Sequence, residues 1–471
     1  MLTRRVIGVA LILLVAGQAR AQQQLAPPVR EWMDCEQGRL SRAVDVSRLK
    51  SPTDNQQDPQ YAPEKAAVFA VKSYWVDASK MQMFAGIGLP RDLARLFVRK
   101  GASGQRQVRL LVHPESEAFY REALRGAEPA ESFAATATAS SRTLLLWPQG
   151  QPGAAFLAKL SLDKVIGGAR RTVSQGEVAR SVGVNNTLQL AARRGELPAS
   201  FTFIPEVLSM IPRGMEEGGM IVRAIPRELL DGRVRYVPLF SLYATPQGGR
   251  PLLADMIAGS GLSPRAFVQE KILRPFAQQW IELAVKRGII PEPHAQNVLL
   301  EVGTDGKPTG RFVHRDFGGF NIDFDHRRAA GLALPKRMPT ITTLEQDYKV
   351  GRYGSPADLV GRNLDEFFGG GFVYNLDRQM GGWARKGWIA ADGLRRHTFQ
   401  AMLVNELERQ VRAKANNQRL ALGGELSNLG RLVAPLRSAT SSEGGATAAA
   451  SGVRSASRWR GVSASDRAPR R

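Results

Sequence analysis

The sequence predicts an α/β (α+β) fold: a palm of mixed and antiparallel sheet, a helical C-terminal lobe and a disordered basic tail. Three observations lead there. Short β-like runs alternate with turns between residues 66 and 162. A well-capped helix begins at Ser263, and amphipathic stretches follow residue 340. The 471-residue length suits two or three packed units, and 43% hydrophobic residues exclude a chain disordered throughout.

Arg4-Arg5, an apolar run over residues 6–17 and Ala19-Arg20-Ala21 read as a secretory signal over residues 1–21. That run is too short for a permanent bilayer span, and no other stretch is long and apolar enough to make one. Residues 22–65, rich in Gln and Pro, read as a loose lead-in to a core over 66–335. A helical lobe is expected over 336–435, with amphipathic helices at 359–368 and 394–413. From Leu436 onward seven arginines face only Glu443 and Asp466, and large apolar residues are scarce. Such a stretch buries too little surface to offset its ordering entropy.

The single cysteine, Cys35, excludes an intramolecular disulfide framework and any multi-thiolate zinc or iron–sulfur centre. Five histidines leave little for a histidine-rich metal site. The net charge of +22 favours anionic partners: nucleic acid, a membrane surface or small polyanions. It is also what an arginine-rich background composition would produce.

Within the core, the turn at 148–153 joins two runs, 143–147 and 155–160. Centring the hairpin between Gly150 and Gln151 sets Arg142 opposite Lys159 and Ser140 opposite Ser161. Two facing cations repel, which an anion between them relieves; so does splaying both heads into water. Arg170 and Arg171 follow Gly167-Gly168 shortly afterwards. A second hairpin pairs 297–302 with 311–316 around 304–308. Centring it between Gly306 and Lys307 sets Asn297 opposite Asp316, just after Glu292 and His294. These oxygen donors suit Mg²⁺ bound together with phosphates, and they equally suit hairpin-end and capping roles. From Ser263 a helix with Pro264 in its first turn carries Phe267, Leu273, Phe276, Trp280 and Leu283 on one stripe. It is expected to kink at Pro275 and stop at Gly288.

Glu292-Pro293-His294-Ala295-Gln296-Asn297 and Arg315-Asp316-Phe317-Gly318-Gly319 resemble the E-x-H-x-Q-N and R-D-F-x-G signatures of the NRPS-independent siderophore (NIS) synthetases, aerobactin-synthetase type. His113-Pro114, Ser140-Ser141-Arg142-Thr143 and Lys159-Leu160-Ser161-Leu162 resemble three further elements, in the family's order. Arg171 and Arg223 fall where that family has arginines. The chain departs from the pattern at Gly167, at Ala224 and at Glu115-Ser116, and it reads as N-terminally shortened.

The resemblance implies a nucleotide cleft and a ligase that uses ATP and Mg²⁺ to adenylate a carboxylate, citrate or a derivative. An amine or hydroxyl then displaces AMP. It implies Ser140, Arg142, Thr143, Lys159, Arg171, His294 and Gln296 at the nucleotide, with Arg142, Lys159 and His294 catalytic. It further implies His113 and Arg223 at the carboxylate substrate and Glu292, Asn297 and Asp316 at the metal. The partners are then a small polycarboxylate and an amine or hydroxyl acceptor, with no specific nucleic acid, and a homodimer is admitted. Two other readings stand beside this one: an exported, non-catalytic binding protein for citrate or a carboxylate siderophore, and a kinase-like phosphotransferase. The leader points to export, whereas ATP chemistry belongs in the cytoplasm.

Overall fold

Nine antiparallel strands build one large sheet in the computed structural model, which describes residues 25–37, 56–166, 169–243, 249–336 and 356–417. The leader at 1–21, Gly167-Gly168 and the tail at 436–471 lie outside the described residues. Across the sheet the strands run Met81–Ala85, Glu206–Pro212, Met220–Arg223, Phe156–Leu160, Thr143–Pro148, Glu128–Ala137, Phe69–Asp77, Arg106–Val112 and Val98–Lys100. The central strands Thr143–Pro148 and Phe156–Leu160 are buried almost throughout, so both faces of the sheet are covered there.

Leu144, Leu146, Phe156 and Ala158 pack on one face with Phe97, Val108 and Phe133. On the other face Leu145, Trp147 and Leu157 meet Leu299 and Val313 of a smaller, four-stranded sheet. Its order is Phe201–Phe203, Pro308–His314, Val298–Gly303 and Val234–Pro238. The opposite side of this small sheet, Leu300, Val302 and Phe312, packs on the C-terminal helices. Large sheet, small sheet and helices therefore form three layers, and the two hairpins sit face to face at the first interface.

Both registers differ from the sequence expectation. In the first hairpin Pro152–Ala154 form a 3₁₀ turn, lengthening the connection, so Thr143 rather than Arg142 stands opposite Lys159. In the second, Val302 pairs with Pro308 but Leu300 with Phe312, so one intervening residue on one strand faces three on the other. Gly310, at φ 84°, lies in that bulge. Arg315 rather than Asp316 then comes opposite Asn297, its N–H donating to the Asn297 carbonyl at 3.0 Å.

The N-terminal segment corrects a second expectation. Pro27–Glu36 is a helix, with Pro in its first turn and Val29, Trp32, Met33 and Glu36 on its buried face. Trp32 packs edge-on to Tyr236, with centroids 6.3 Å apart. A loose lead-in would not bury these side chains.

The helix after Ser263 starts as the sequence predicts, with the Ser263 hydroxyl accepting the Ala266 N–H. It alternates α and π turns to Lys286, and Gly288 follows at φ 58°. Pro275 is the second residue after the π stretch Gln269–Leu273, where the ladder already departs from the α pattern and its missing N–H is accommodated. Helices Pro356–Asn363, Leu364–Val373 (π) and Tyr374–Arg385 continue well past the expected 359–368, and Thr398–Asn417 completes the lobe. Among the described residues no helix is long and apolar enough to cross a membrane.

Phe276 joins the lobe to the small sheet, stacked on Phe368 at 3.7 Å between centroids and edge-on to Phe312 at 5.2 Å. Phe276→Ala should lower stability by about 3–5 kcal/mol, read from the urea midpoint at unchanged m-value.

Candidate functional site

Strand register aims four side chains at the second hairpin. Leu157 stands opposite Arg223, and Arg223 opposite Glu206, so these three share a face. Lys159, two residues beyond Leu157, shares it too. Because Leu157 packs against Leu299 and Val313, Lys159 points across the same interface toward the open end of the second hairpin.

There the chain turns sharply. Asp316 adopts a left-handed conformation (φ 66°, ψ 72°), unusual for a residue other than glycine, and leads into the 3₁₀ turn Phe317–Gly319. Its Oδ1 lies 2.5 Å from Lys159 Nζ and 3.3 Å from Arg223 Nη2. Glu177 Oε1 lies 2.5 Å from the same ammonium and 3.9 Å from Arg142. Arg142 Nη1 donates to the carbonyls of Arg171 and Thr172 at 2.9 and 2.5 Å, which holds the guanidinium at the cleft. Beneath them Arg223 pairs with the fully buried Glu206 at 2.8 Å, and Glu206 also accepts the Ser181 hydroxyl and the Phe317 N–H. Alongside, Asn297 Nδ2 donates to Glu292 at 2.9 Å.

The two glycines after Phe317 make this packing feasible. A Cβ at Gly319 would lie 2.8 Å from Glu292, and one at Gly318 would lie 3.3 Å from Glu177. The Gly318 carbonyl accepts from Arg180 at 3.0 Å.

Electrostatics separates the carboxyls. Burial alone would raise Glu177 and Asp316, but Lys159 with Arg142 for the first, and Lys159 with Arg223 for the second, outweigh it and hold both below the usual range. At Glu292 the Asn297 amide and Lys159 act in the lowering direction but do not prevail. Burial, and then the Asp316 charge, push it up to about 7. The Lys159 side chain is 5% exposed, while Glu177 and Asp316 keep 20% and 28% of theirs open, so the cluster has a solvent-facing edge.

Of the residues singled out in the sequence, Arg142, Lys159, Arg223, Glu292, Asn297 and Asp316 come together. Ser140 and Thr143 shape the neighbouring turn, where the Ser140 hydroxyl accepts the Thr143 N–H at 3.1 Å. Arg171 contributes its carbonyl to Arg142, and its own Nε donates to Ile166. His294 lies two residues from Glu292, its Nδ1 accepting the Gln296 N–H and its ring edge-on to Phe367. The Gln296 carbonyl accepts from Arg315, and its side-chain amide nitrogen is buried without a partner.

The two residues expected at the carboxylate substrate are both buried. His113 is 0% exposed, packed beside Tyr61 and Phe69, with burial lowering its pKa to about 3. Its Nδ1 caps a 3₁₀ turn by accepting the Glu115 N–H, so the ring serves packing and capping in this structure. The Arg223 guanidinium pairs through Nε and Nη2 with Glu206 and Asp316, a geometry in which it supports Asp316.

Glu177 and Glu206 were not foreseen. Glu177 carried a readable signal: Ser174-Gln175-Gly176-Glu177 has capping-box spacing, and the Ser174 hydroxyl does accept the Glu177 N–H. Its side chain, however, turns to Lys159. Glu206 had no local signal, because its partners come from a separate helix, strand and turn.

A cavity of about 780 Å³ opens at the turn end of the second hairpin, lined by Cys35, Val237, Leu252, Phe267 and Val302 among others. It contains none of the cluster residues.

The sign of one pH effect follows from these contacts. Glu177 and Asp316 titrate below their unfolded values of about 4, so their ion pairs are fully stabilising above that pH. The contribution disappears as pH falls through the folded values. Lys159→Met should flatten the acid limb of a stability-versus-pH curve below about pH 4.5, measured by urea unfolding.

No protein-family model matches the chain, and no curated protein matches it in sequence. Solved structures do match in fold. Aerobactin synthetase IucC from a hypervirulent pathotype of Klebsiella pneumoniae is 18% identical, with a TM-score of 0.58 over 88% of this chain and 74% of that one. The ATP-bound aerobactin synthetase IucA of the same pathotype is 17% identical, with a TM-score of 0.58 over 84% and 71%. Petrobactin biosynthesis protein AsbB from Bacillus anthracis str. Sterne is 17% identical, with a TM-score of 0.60 over 84% and 70%. At such identities the likeness is one of fold: this chain is built on the architecture of the siderophore synthetases.

Proposed function

We propose that the protein is an ATP-dependent ligase of the siderophore-synthetase kind, acting on a small polycarboxylate such as citrate. The observation that carries this reading is the meeting of Lys159, Arg142, Asp316, Glu292 and Asn297 where the two hairpins face each other. These are the residue types, at the motif positions, that the family resemblance assigns to nucleotide and metal. The fold shared with an ATP-bound synthetase supports it.

In the proposed reaction a substrate carboxylate oxygen attacks the α-phosphorus of ATP, forming an acyl-adenylate as pyrophosphate leaves. An amine or hydroxyl then attacks the acyl carbon, loses its proton, and AMP departs. Lys159 and Arg142 supply positive charge beside the phosphates, which matters most as charge develops on the leaving pyrophosphate. In this reading His294, at the same end of the second hairpin, donates a hydrogen bond to a phosphate oxygen.

The donor set fits Mg²⁺. Among the described residues no three His, Cys, Asp or Glu side chains gather as a metal cage. Magnesium bound with substrate phosphates, however, takes only one or two carboxylates and keeps waters. Asp316, Glu292 and the Asn297 carboxamide would hold it, and when bound it would neutralise phosphate charge. No side chain need act as a covalent nucleophile; positioning and electrostatics suffice.

The test is product analysis with MgATP, citrate and hydroxylamine as a surrogate acceptor. Pyrophosphate, AMP and a hydroxamate are expected, and Lys159→Ala and Asp316→Ala should each reduce pyrophosphate release at least about 100-fold with circular dichroism unchanged. ADP in place of AMP would indicate phosphoryl transfer. Citrate binding without any nucleotide turnover would leave a binding protein and overturn the ligase.

A further inference from the structure

Glu36, the last residue of the N-terminal helix, is a carboxylate with no exposed surface, more than a hundred residues in sequence from every residue of the site, and it is bound to the 138–143 turn. Its two oxygens accept four hydrogen bonds. Arg315 Nη1 and Nη2 donate in a fork at 2.5 and 3.0 Å, the Trp32 indole donates at 2.9 Å, and the Ala139 N–H donates at 3.3 Å.

Each of the two longer links ends at the site. Ala139 directly precedes Ser140, Ser141 and Arg142, in a turn where Ser141 takes a positive φ of 62°. Arg315 directly precedes Asp316, and its remaining donors go to the Gln296 carbonyl at 3.1 and 2.7 Å, next to Asn297. Gln37 extends the first link, donating to Thr136 Oγ1 and the Ala137 carbonyl at 2.6 and 3.0 Å. One carboxylate thus ties together the two loops that carry Arg142 on one hairpin and Asn297 and Asp316 on the other.

We propose that Glu36 is a positioning residue of the site, setting Arg142 through the Ala139 amide and Asp316 through Arg315, and that the helix Pro27–Glu36 is part of the working centre. Its kinetic consequence rests on the ligase reading above; its structural consequence does not. Glu36→Gln keeps the volume of the side chain. It removes the charge facing a guanidinium that is 3% exposed, and it turns one acceptor into a donor where only donors are present. Arg315 and the Ala139 amide then lose their common anchor, and the two loops are freed from each other.

The experiment combines hydrogen exchange with turnover on the full chain. In Glu36→Gln, exchange in peptides spanning 138–146 and 311–320 should accelerate at least tenfold, while the distant strands Phe69–Asp77 and Arg106–Val112 stay protected. Turnover, read as pyrophosphate release, should fall at least tenfold at a temperature where the variant is fully folded. Glu36→Asp, which retains the charge, should recover part of both effects.

Should Glu36→Gln fail to fold, Glu36→Asp alone decides by the same two exchange windows. Acceleration confined to 25–37, or spread evenly over the protein, would overturn the proposal by reducing Glu36 to a core staple. So would unchanged exchange in both windows. A wild-type protein without turnover would sink the ligase reading, and the exchange windows would still judge the positioning role.

Discussion

One ammonium group faces two carboxylates where the hairpins meet, and the candidate site is organised around that contact. Lys159 comes from a central strand of the large sheet, Asp316 from the end of the small sheet, and Glu177 from the first turn of a helix. Taking such charges out of water is expensive, and mutual attraction compensates only when the geometry is good and the remaining lone pairs are satisfied. Here the layers below meet that condition. Arg223 and Glu206 form a fully buried pair under Asp316, and Arg142 is held by two carbonyls beside Glu177. The cluster is therefore braced from beneath and open along one edge.

A second ring of contacts fixes the loops that carry these groups. The left-handed Asp316 is strained, and strain of that kind persists only when surroundings over-determine it. Its neighbours do so: Arg315 is forked onto Glu36, Phe317 donates to Glu206, and Gly318 and Gly319 leave room for Glu177 and Glu292. The hydrophobic interface of Leu145, Trp147 and Leu157 with Leu299 and Val313 brings the hairpins within reach. The polar contacts then choose one arrangement of their ends.

Much of this was legible in the residues. Period-two runs and turn chemistry located both hairpins, and the motif order picked out six residues that do gather. The registers were each wrong by one residue, because a 3₁₀ turn and a glycine bulge change the pairing without changing the apolar pattern. The lysine survived that error since its face is set by Leu157 and not by its cross-strand partner. The burial of His113 was not legible, because a motif names residue types and not burial. The N-terminal helix was hidden by flanking Gln and Pro, although Val29, Trp32, Met33 and Glu36 have helical spacing. Glu206 could not have been found, since a buried ion pair between strands leaves no mark along the chain.

The central claim is that Lys159 and Asp316 act as one unit across the interface of the two sheets. A double-mutant cycle measures this directly, with Lys159→Met, Asp316→Asn and the double variant compared by urea unfolding at pH 7. The account predicts a coupling of about 2–3 kcal/mol, the double variant being far less destabilised than the sum of the singles. Single effects that add to within about 0.5 kcal/mol would contradict it.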